Sequence, residues 1–453
     1  MAGIYHERSA TNVTFTDQAT VKRDGLGRAM HDLMAELYPI CRSITGNGVR
    51  ETLRVLQKHI PLEIHEVPSG TKVFDWTVPP EWNVSDAYIM NRAGERVVDF
   101  NAHNLHLMSY SIPIRKRMGL VELKPHLFTL PDHPEWIPYR TSYYKENWGF
   151  CLRHVDYERL LDDEYEVVID SSLQPGALTY GECYVPGEIS DEILISCHVC
   201  HPSLCNDNLS GIAVAVRLAE AMTAHQKRYS YRFLFIPGTI GSITWLALNE
   251  QRASCIKHGL VITGVGDAGD VTYKRSRQGN AEIDRAMAHV LKHSGKRYAI
   301  IDFSPYGYDE RQYCSPGFDL PVGCFMRTPH SEYPEYHSSA DNLDFVKIES
   351  LVQSYGRCLE VFEVLEGSRT YMNQNPKCEP QLGRRGLYRT VAGQQEKQWT
   401  ELALFWVLNA SDGRHTLLDI AERADLPFSK IQFAADALLE VGLLKECRRP
   451  GNT

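Results

Sequence analysis

The stretch Asp191-Glu-Ile-Leu-Ile-Ser-Cys-His-Val-Cys-His-Pro-Ser-Leu-Cys-Asn-Asp-Asn-Leu-Ser-Gly211 carries the first clue to the fold of this chain. Residues 191–196 form a short apolar run of strand character. From 209 to 224 apolar residues continue nearly all round a helix, as in a buried element. A strand that passes through a polar loop into a buried helix is half of a βαβ unit, and in open α/β sheets such strand-to-helix loops bind ligands. This loop holds His198, His201, Asp207 and three cysteines. Histidine, thiolate and carboxylate are common zinc ligands, so the loop reads as a metal site. The alternative is a set of buried His and Cys residues with satisfied hydrogen bonds.

Outward from this unit the pattern repeats. Residues 231–236 and 259–263 read as apolar strands, followed by a helix over 281–293, strands near 298–302 and 322–326, and a long helix over 346–365. This alternation predicts an α/β fold, a mostly parallel sheet flanked by helices. Upstream, apolar residues recur at helical spacing over 25–37 and 49–60, with Asn47 and Gly48 as the start signal of the second helix. Between 68 and 166 the chain is rich in Pro, Trp, Tyr and His. Patches such as Asp86-Ala-Tyr-Ile-Met90 and turns such as Asn91-Arg-Ala-Gly94 predict a small inserted β domain there. A polar linker containing Asn373-Gln-Asn-Pro376 and Gly383-Arg-Arg-Gly386 sets off a C-terminal module. Short helices over 398–408, 416–423 and 428–441 suit a winged-helix-like domain. The expected organisation is an α/β domain of residues 1–67 and 167–372, an insert of 68–166, and a winged-helix-like domain of 380–453.

At 453 residues the chain is long enough for two or three domains. Its 57 acidic and 48 basic residues leave a net charge of −9, which gives no support to nucleic acid or an anionic membrane as a charge-bound partner. The presumed recognition helix over 428–441 has Lys430 as its only basic residue, beside Asp436 and Glu440, where a DNA-reading helix presents several basic and amide side chains. The module is expected to pack against the core or against a second copy in a homo-oligomer. Residues 1–20 lack the basic start and apolar run of a secretory leader, and no stretch approaches the roughly 20 apolar residues of a membrane span. Twelve cysteines without a paired framework are expected to be reduced and mostly buried. A cytoplasmic protein is the expectation.

A second cluster, Glu335-Tyr-His-Ser-Ser-Ala-Asp-Asn-Leu-Asp344, places His337 four residues before Asp341. A metal-bound imidazole usually has its other ring nitrogen held by a carboxylate or carbonyl, a role open to Asp341. The alternative is that Ser339, Asp341 and Asp344 cap and charge the start of the following helix.

A strand ending in His198, the loop Asp207-Asn-Leu-Ser-Gly211 opening a helix, and the late Tyr336-His-Ser-Ser-Ala-Asp341 together resemble the zinc aminopeptidase family that includes bacterial leucyl aminopeptidases and glutamate carboxypeptidase. Over nearly its full length the chain is similar to a bacterial aminopeptidase-like branch often encoded near polysaccharide or natural-product biosynthesis genes. That branch shares the insert, the opening Pro39-Ile-Cys-Arg-Ser-Ile-Thr-Gly46 and the C-terminal module. The resemblance implies His198 as the first metal histidine, Asp207 as the carboxylate that bridges two zinc ions, and His337 as the last histidine. It also implies Asp267 as a further carboxylate ligand, with Asp270 as a substitute.

Two departures from the family follow. The family's His-x-Asp is His198-Val-Cys200 here, so Cys200 or His201 takes the supporting place, with His201 as an alternate ligand. In Phe235-Ile-Pro-Gly-Thr-Ile-Gly-Ser242 the family has two consecutive glutamates, a general base and a zinc ligand, and neither is present. One zinc ion per chain is therefore expected rather than two. A proton acceptor must come from elsewhere, and Glu310 is the best substitute, with Asp309 beside it, in Pro305-Tyr-Gly-Tyr-Asp-Glu-Arg-Gln-Tyr-Cys-Ser-Pro316. Asp309, Glu310 and Arg311 read as base, acid or carboxylate clamp, and Tyr308 and Arg311 as substrate contacts; the alternative is a polar surface turn. The basic run Tyr273-Lys-Arg-Ser-Arg277 reads as a solvated edge; the alternative is a site for a carboxylate or phosphate of a substrate. The expected function is a metal-dependent hydrolase of an amide or peptide-like bond in a small molecule. The alternatives are a non-catalytic protein that binds a small ligand or partner, and a transcriptional regulator acting through the C-terminal module.

Overall fold

A computed structural model describes residues 23–387 and 394–447, so the N-terminal residues on which the leader expectation rests lie outside the described ones. Gly27–Tyr355 makes one compact unit, and a second includes the chain from Gly356 onward. The first unit is built on eight strands: β1 (Glu63–Pro68), β2 (Ala177–Val185), β3 (Glu192–His198), β4 (Ser230–Ile236), β5 (Ile256–Ile262), β6 (Val271–Lys274), β7 (Tyr298–Ile301) and β8 (Val322–Met326). Their order across the sheet is β1-β2-β4-β3-β5-β8-β6-β7. The centre is parallel: β3 pairs in parallel with both β4 and β5, and β5 with β8. The flanks are mixed, because β2 runs antiparallel to β1 and β4, and β6 antiparallel to β8.

Every residue of β3 and β4 is buried, as a strand covered on both faces requires. Helix α1 (Gly211–Ala224) joins them and is itself buried at nine positions, in keeping with its apolar circumference. From β4 the chain crosses over β3 to reach β5, so the strand order reverses at β3 and a crevice opens beyond its carboxyl end, at His198. Charge inside the sheet is matched: Arg232 on β4 donates through Nε and Nη2 to Glu192 on β3, at 2.6 Å each, and is also paired with Glu182 on β2. A paired guanidinium–carboxylate contact of this kind fixes strand register as well as adding energy.

The insert has a four-stranded antiparallel sheet made from Arg96–Asp99, Glu81–Met90, Glu164–Gln174 and Ile114–Gly119, in that order. Its return strand continues past residue 166 to Gln174. The sheet of the insert shares its core with the main sheet, because Trp82, Ile89, Val167 and Ile169 belong to the same hydrophobic cluster as Leu194, Leu234 and Val261. The C-terminal unit carries a three-stranded sheet of Asp412–Thr416, Thr370–Asn373 and Leu444–Glu446, with helices Gln394–Ala410, Leu417–Ala424 and Phe428–Glu440. Among the described residues no helix is long and apolar enough to cross a membrane. All twelve cysteines are unpaired and eight of them are buried.

Of the run read as a solvated basic edge, Tyr273 and Lys274 lie instead in β6, only 0% and 3% exposed, while Arg277 is exposed as expected. A lysine can sit there because Nζ of Lys274 donates to Oε1 of Glu310 at 2.8 Å and to the carbonyl of Tyr306 at 2.6 Å.

Candidate metal centre and active-site pocket

Three histidines converge on Asp207, whose side chain is fully buried. Nε2 of His198 lies 2.8 Å from Oδ1 of Asp207, Nε2 of His337 lies 3.0 Å from Oδ2, and Nε2 of His201 lies 4.0 Å from Oδ2. The ligand atoms of His198, His201 and Asp207 all fall within 4.8 Å of one another, and no other such group is found among the described residues.

The loop that carries Asp207 is stapled to the end of β5. The Asn206 side chain accepts from the Gly266 amide at 2.8 Å and donates to Asp267 at 3.0 Å. Asn208 donates to the carbonyl of Ile262 at 3.1 Å, and Ser210 donates to the carbonyl of Asn206 at 2.7 Å. A Cβ on Gly211 would lie 2.3 Å from Oδ1 of Asn208 and 2.5 Å from the carbonyl of Ile262, so only glycine fits this close approach. The Asp-Asn-Leu-Ser-Gly sequence is thus a device for aiming one carboxylate.

Asp267 belongs to this staple and not to the histidine cluster. Its two oxygens accept from the Thr328 hydroxyl at 2.6 Å, the Gly269 amide at 2.7 Å, the Asn206 side chain at 3.0 Å and the Thr328 amide at 3.3 Å. A carboxylate with four donors has no lone pair left to aim at a cation. Asp270 is half exposed and paired with Arg297 at 3.2 Å. Asp341 does not hold His337 either. It accepts from the backbone amides of Asn206 at 2.6 Å and Asp207 at 3.0 Å, locking the loop from beneath, and it is not a cap for the following helix. Burial, with the charge of Asp207 nearby, pushes its carboxyl up to about 8.

His337 has φ of +56°, a left-handed conformation uncommon outside glycine. A segment of the insert holds it there: the Tyr139 amide donates to the carbonyl of His337 at 2.8 Å, and the Ser339 amide donates to the carbonyl of Ile137 at 2.9 Å. The Tyr139 ring then stands 5.2 Å from the ring of His201 and 5.1 Å from that of His337. Arg42, from the Pro39–Gly46 opening, donates to the carbonyl of His201 at 3.0 Å. Sγ of Cys200 lies 3.7 Å from the carbonyl of Gly238, to which it donates, and 3.6 Å from Nδ1 of His201. A thiol that donates to Gly238 accepts from Nδ1–H of His201, which leaves the Nε2 lone pair facing Asp207. Tyr139, Arg42, Asn206 and Ser242 were not singled out from the sequence. Their roles depend on neighbours 60 to 198 residues away, and local pattern carries no signal for that.

Beside the cluster lies a pocket of about 240 Å³ lined by His198, His201, Gly238, Thr239, Tyr306, Tyr308, Asp309, Arg311, His330 and Tyr336 among others. Asp309 and Glu310 diverge here, as successive residues entering a helical turn must, about 100° apart. Glu310 turns inward to Lys274 and is fully buried, so it is spent on an ion pair and does not line the pocket. Asp309 faces the pocket; its Oδ1 accepts from the Ser242 hydroxyl at 2.8 Å and its buried Oδ2 has no partner. A Cβ at Gly238 would be 3.2 Å from Cβ of His198 and 3.4 Å from Oδ2 of Asp309. The carboxylate of Asp309 therefore stands beside the end of β4, where glutamates are missing from the sequence. The Tyr308 ring stacks on His198 with centroids 5.2 Å apart.

Burial pushes the carboxyl of Asp309 up to about 6, despite the pull of His198. Burial pushes His201 down to about 3, so its imidazole is neutral at ordinary pH. Burial alone would raise Asp207, but the three surrounding imidazoles outweigh it and hold the carboxyl well below the usual range. A neutral imidazole and an ionised carboxylate are the protonation states that metal ligands need. Both oxygens of Asp207 face imidazole nitrogens, so a divalent cation would supply the positive charge this buried anion lacks. Imidazoles with one carboxylate are a donor set that zinc accepts.

Residues 31–368 match the family described as "Domain of unknown function (DUF4910)". The chain belongs to the DUF4910 family. Residues 369–446 match a winged helix-turn-helix family, which agrees with the three-stranded sheet and helices found there. A Clostridium acetobutylicum protein named for polysaccharide biosynthesis and for its aminopeptidase-like domain is 57% identical over 419 residues, 92% of this DUF4910 chain and 96% of the relative. A solved structure of a C. acetobutylicum protein named as a peptidase is 54% identical, with a TM-score of 0.91 over 96% of this chain and 99% of that one. The zinc aminopeptidase from Bacillus subtilis shares the fold at 12% identity, with a TM-score of 0.56 over 75% of this chain and 94% of its own. The DUF4910 domain is therefore an α/β domain of aminopeptidase-like fold with a winged-helix domain after it.

Proposed function

We propose that this protein is a metal-dependent hydrolase of an amide or peptide-like bond in a small molecule, with one zinc ion held by His198, His201, His337 and Asp207. The observation that carries the proposal is the convergence of three imidazoles on a buried, ionised Asp207 at a pocket whose wall also holds Asp309, a buried carboxylate with one oxygen free. Zinc in that position would polarise the scissile carbonyl and lower the pKa of an attacking water. Asp309 is placed to take the proton through Oδ2 while Ser242 holds Oδ1, and then to return it to the departing nitrogen. Arg42, Cys200 and Tyr139 keep His201 and His337 aimed at Asp207. The C. acetobutylicum relative's name supports a substrate from polysaccharide or related biosynthesis. The unpaired cysteines suit a reducing compartment, in agreement with a cytoplasmic location.

A second reading is favoured by one observation: Gly238 and Thr239 stand after β4 where the resemblance places a pair of glutamates, which suits a protein that binds a small ligand without turning it over. Steady-state hydrolysis of a panel of N-acylated sugars and amino acids by zinc-loaded protein, with Asp309→Asn alongside, decides between the two. The hydrolase predicts turnover of at least one amide and a loss of 100-fold or more in kcat for Asp309→Asn at unchanged metal content, the scale of a lost general base. No turnover across the panel, or full activity in Asp309→Asn, would overturn the proposal as stated.

A further inference from the structure

Among the described residues, Arg311 is the only Lys or Arg lining the pocket. It follows Asp309 by two residues on the short helix Glu310–Tyr313, and its Nε is buried without a hydrogen-bond partner. Each of the nearby carboxylates already has a partner for at least one oxygen. Glu310 is paired with Lys274, Asp207 is held by imidazoles, and one oxygen of Asp309 is held by Ser242. Asp309 lies close enough for the two charges to act on each other, but Nε of Arg311 is left without a hydrogen-bond partner, and its planar fork suits a carboxylate above other partners. An aminopeptidase substrate instead brings a free ammonium group. Here that group would meet Arg311, and the single carboxylate oxygen open to it, Oδ2 of Asp309, could not hold an ammonium and also accept the proton of the attacking water. The remaining walls are aromatic: Tyr306 is 71% exposed, its ring 5.5 Å from that of His330, which in turn stands 5.4 Å from Tyr308. Such faces offer stacking to a ring or flat acyl group.

We infer that the substrate is an N-acylated acid, an amide whose nitrogen is already acylated and which bears a carboxylate that Arg311 binds, and that a free amine next to the scissile bond is excluded. This inference rests on the pocket being the active site of the hydrolase proposed above, and it adds the charge and acylation state of the substrate.

Hippurate and phenylalaninamide are matched probes, each an amide with one phenyl ring, the first carrying a carboxylate and the second a free amine. Their binding to the zinc-loaded full-length chain is measured by calorimetry, for the wild type, Arg311→Gln and Arg311→Lys, with thermal melting to verify folding. Hippurate should bind at least 10-fold more tightly than phenylalaninamide, and Arg311→Gln should weaken hippurate by about 10- to 100-fold, the range of one charge-assisted hydrogen-bonded contact. Arg311→Lys should lose severalfold, because an ammonium cannot make the paired contact. It is the variant to rely on if Arg311→Gln does not fold. Phenylalaninamide binding as tightly as hippurate would overturn the inference in favour of an amine held by Asp309. Hippurate binding that is unchanged in both variants would overturn it by placing the carboxylate on the metal alone, and so would the absence of binding by either probe. Binding needs no turnover, so an Arg311-dependent hippurate site in a protein that hydrolyses no amide would sink the hydrolase and leave the anion site standing.

Discussion

At the scale of single residues, two neighbouring carboxylates have opposite fates. Asp309 lines the pocket while Glu310 turns away from it to pair with Lys274, and no periodicity in a four-residue helix distinguishes them beforehand. The consequence can be measured in metal-free protein. Burial raises the Asp309 carboxyl to about 6 in the folded chain, against roughly 4 when unfolded, so folding favours its protonated form. The stability it contributes is then complete below about pH 4 and is lost as the pH rises through about 6. His201, pushed down to about 3, works in the opposite direction over part of this range, so the informative quantity is the difference between wild type and Asp309→Asn. In urea denaturation of chelated protein, that difference should fall by about 2 kcal/mol between pH 4 and pH 7. A difference independent of pH would contradict the environment assigned to Asp309. Catalysis runs the other way, because a base must be ionised, and activity should decline as the pH drops through the pKa of Asp309, which a bound cation would lower.

Among the elements, β6 shows how a charged sequence can be buried. Lys274 and Glu310 have side chains 4% and 1% exposed, and between them they fix the loop that carries Tyr306, Tyr308 and Asp309. Lys274→Met leaves Glu310 as an uncompensated buried charge and should cost about 3–5 kcal/mol, whereas Lys274→Met with Glu310→Met should recover most of it. Equal losses in the single and double variants, measured by urea unfolding, would show that the pair does not act as a unit. The strands and helices legible in the sequence were those with strong patterns: β3, α1, β4, β5 and the helix Glu282–Lys292 all lie close to where apolar runs predict them. Strand β6 was not legible, because its partner is 36 residues away and a basic run looks solvated until that partner is known. The same limit applies to the site. His198, His201 and Asp207 stand out as ligand types in a loop after a strand and before a helix, His337 stands out in a second cluster, and the fold brings them together. Asp267 is an equally good ligand by type, yet its four donors come from the loop and from Thr328, and no one-dimensional pattern reports that.

At the scale of the whole molecule, the candidate metal centre draws on three parts of the chain that are far apart in sequence. The sheet supplies His198 and the stapled loop, the insert supplies the Tyr139 segment that holds His337 in a left-handed conformation, and the N-terminal opening supplies Arg42 behind His201. Ile137 and Tyr139 of the insert share a hydrophobic cluster with Leu204 of the loop between β3 and α1, which anchors the segment that holds His337. A cation that binds only the folded chain stabilises it by mass action and should link all three parts. The most direct test of the account is elemental analysis of the purified full-length protein after zinc loading and gel filtration, with Asp207→Ala, His337→Ala and Asp270→Ala alongside. The account predicts about one zinc per chain in the wild type and in Asp270→Ala, and little in Asp207→Ala or His337→Ala. No bound metal under any loading condition, or full metal content in Asp207→Ala, would contradict it.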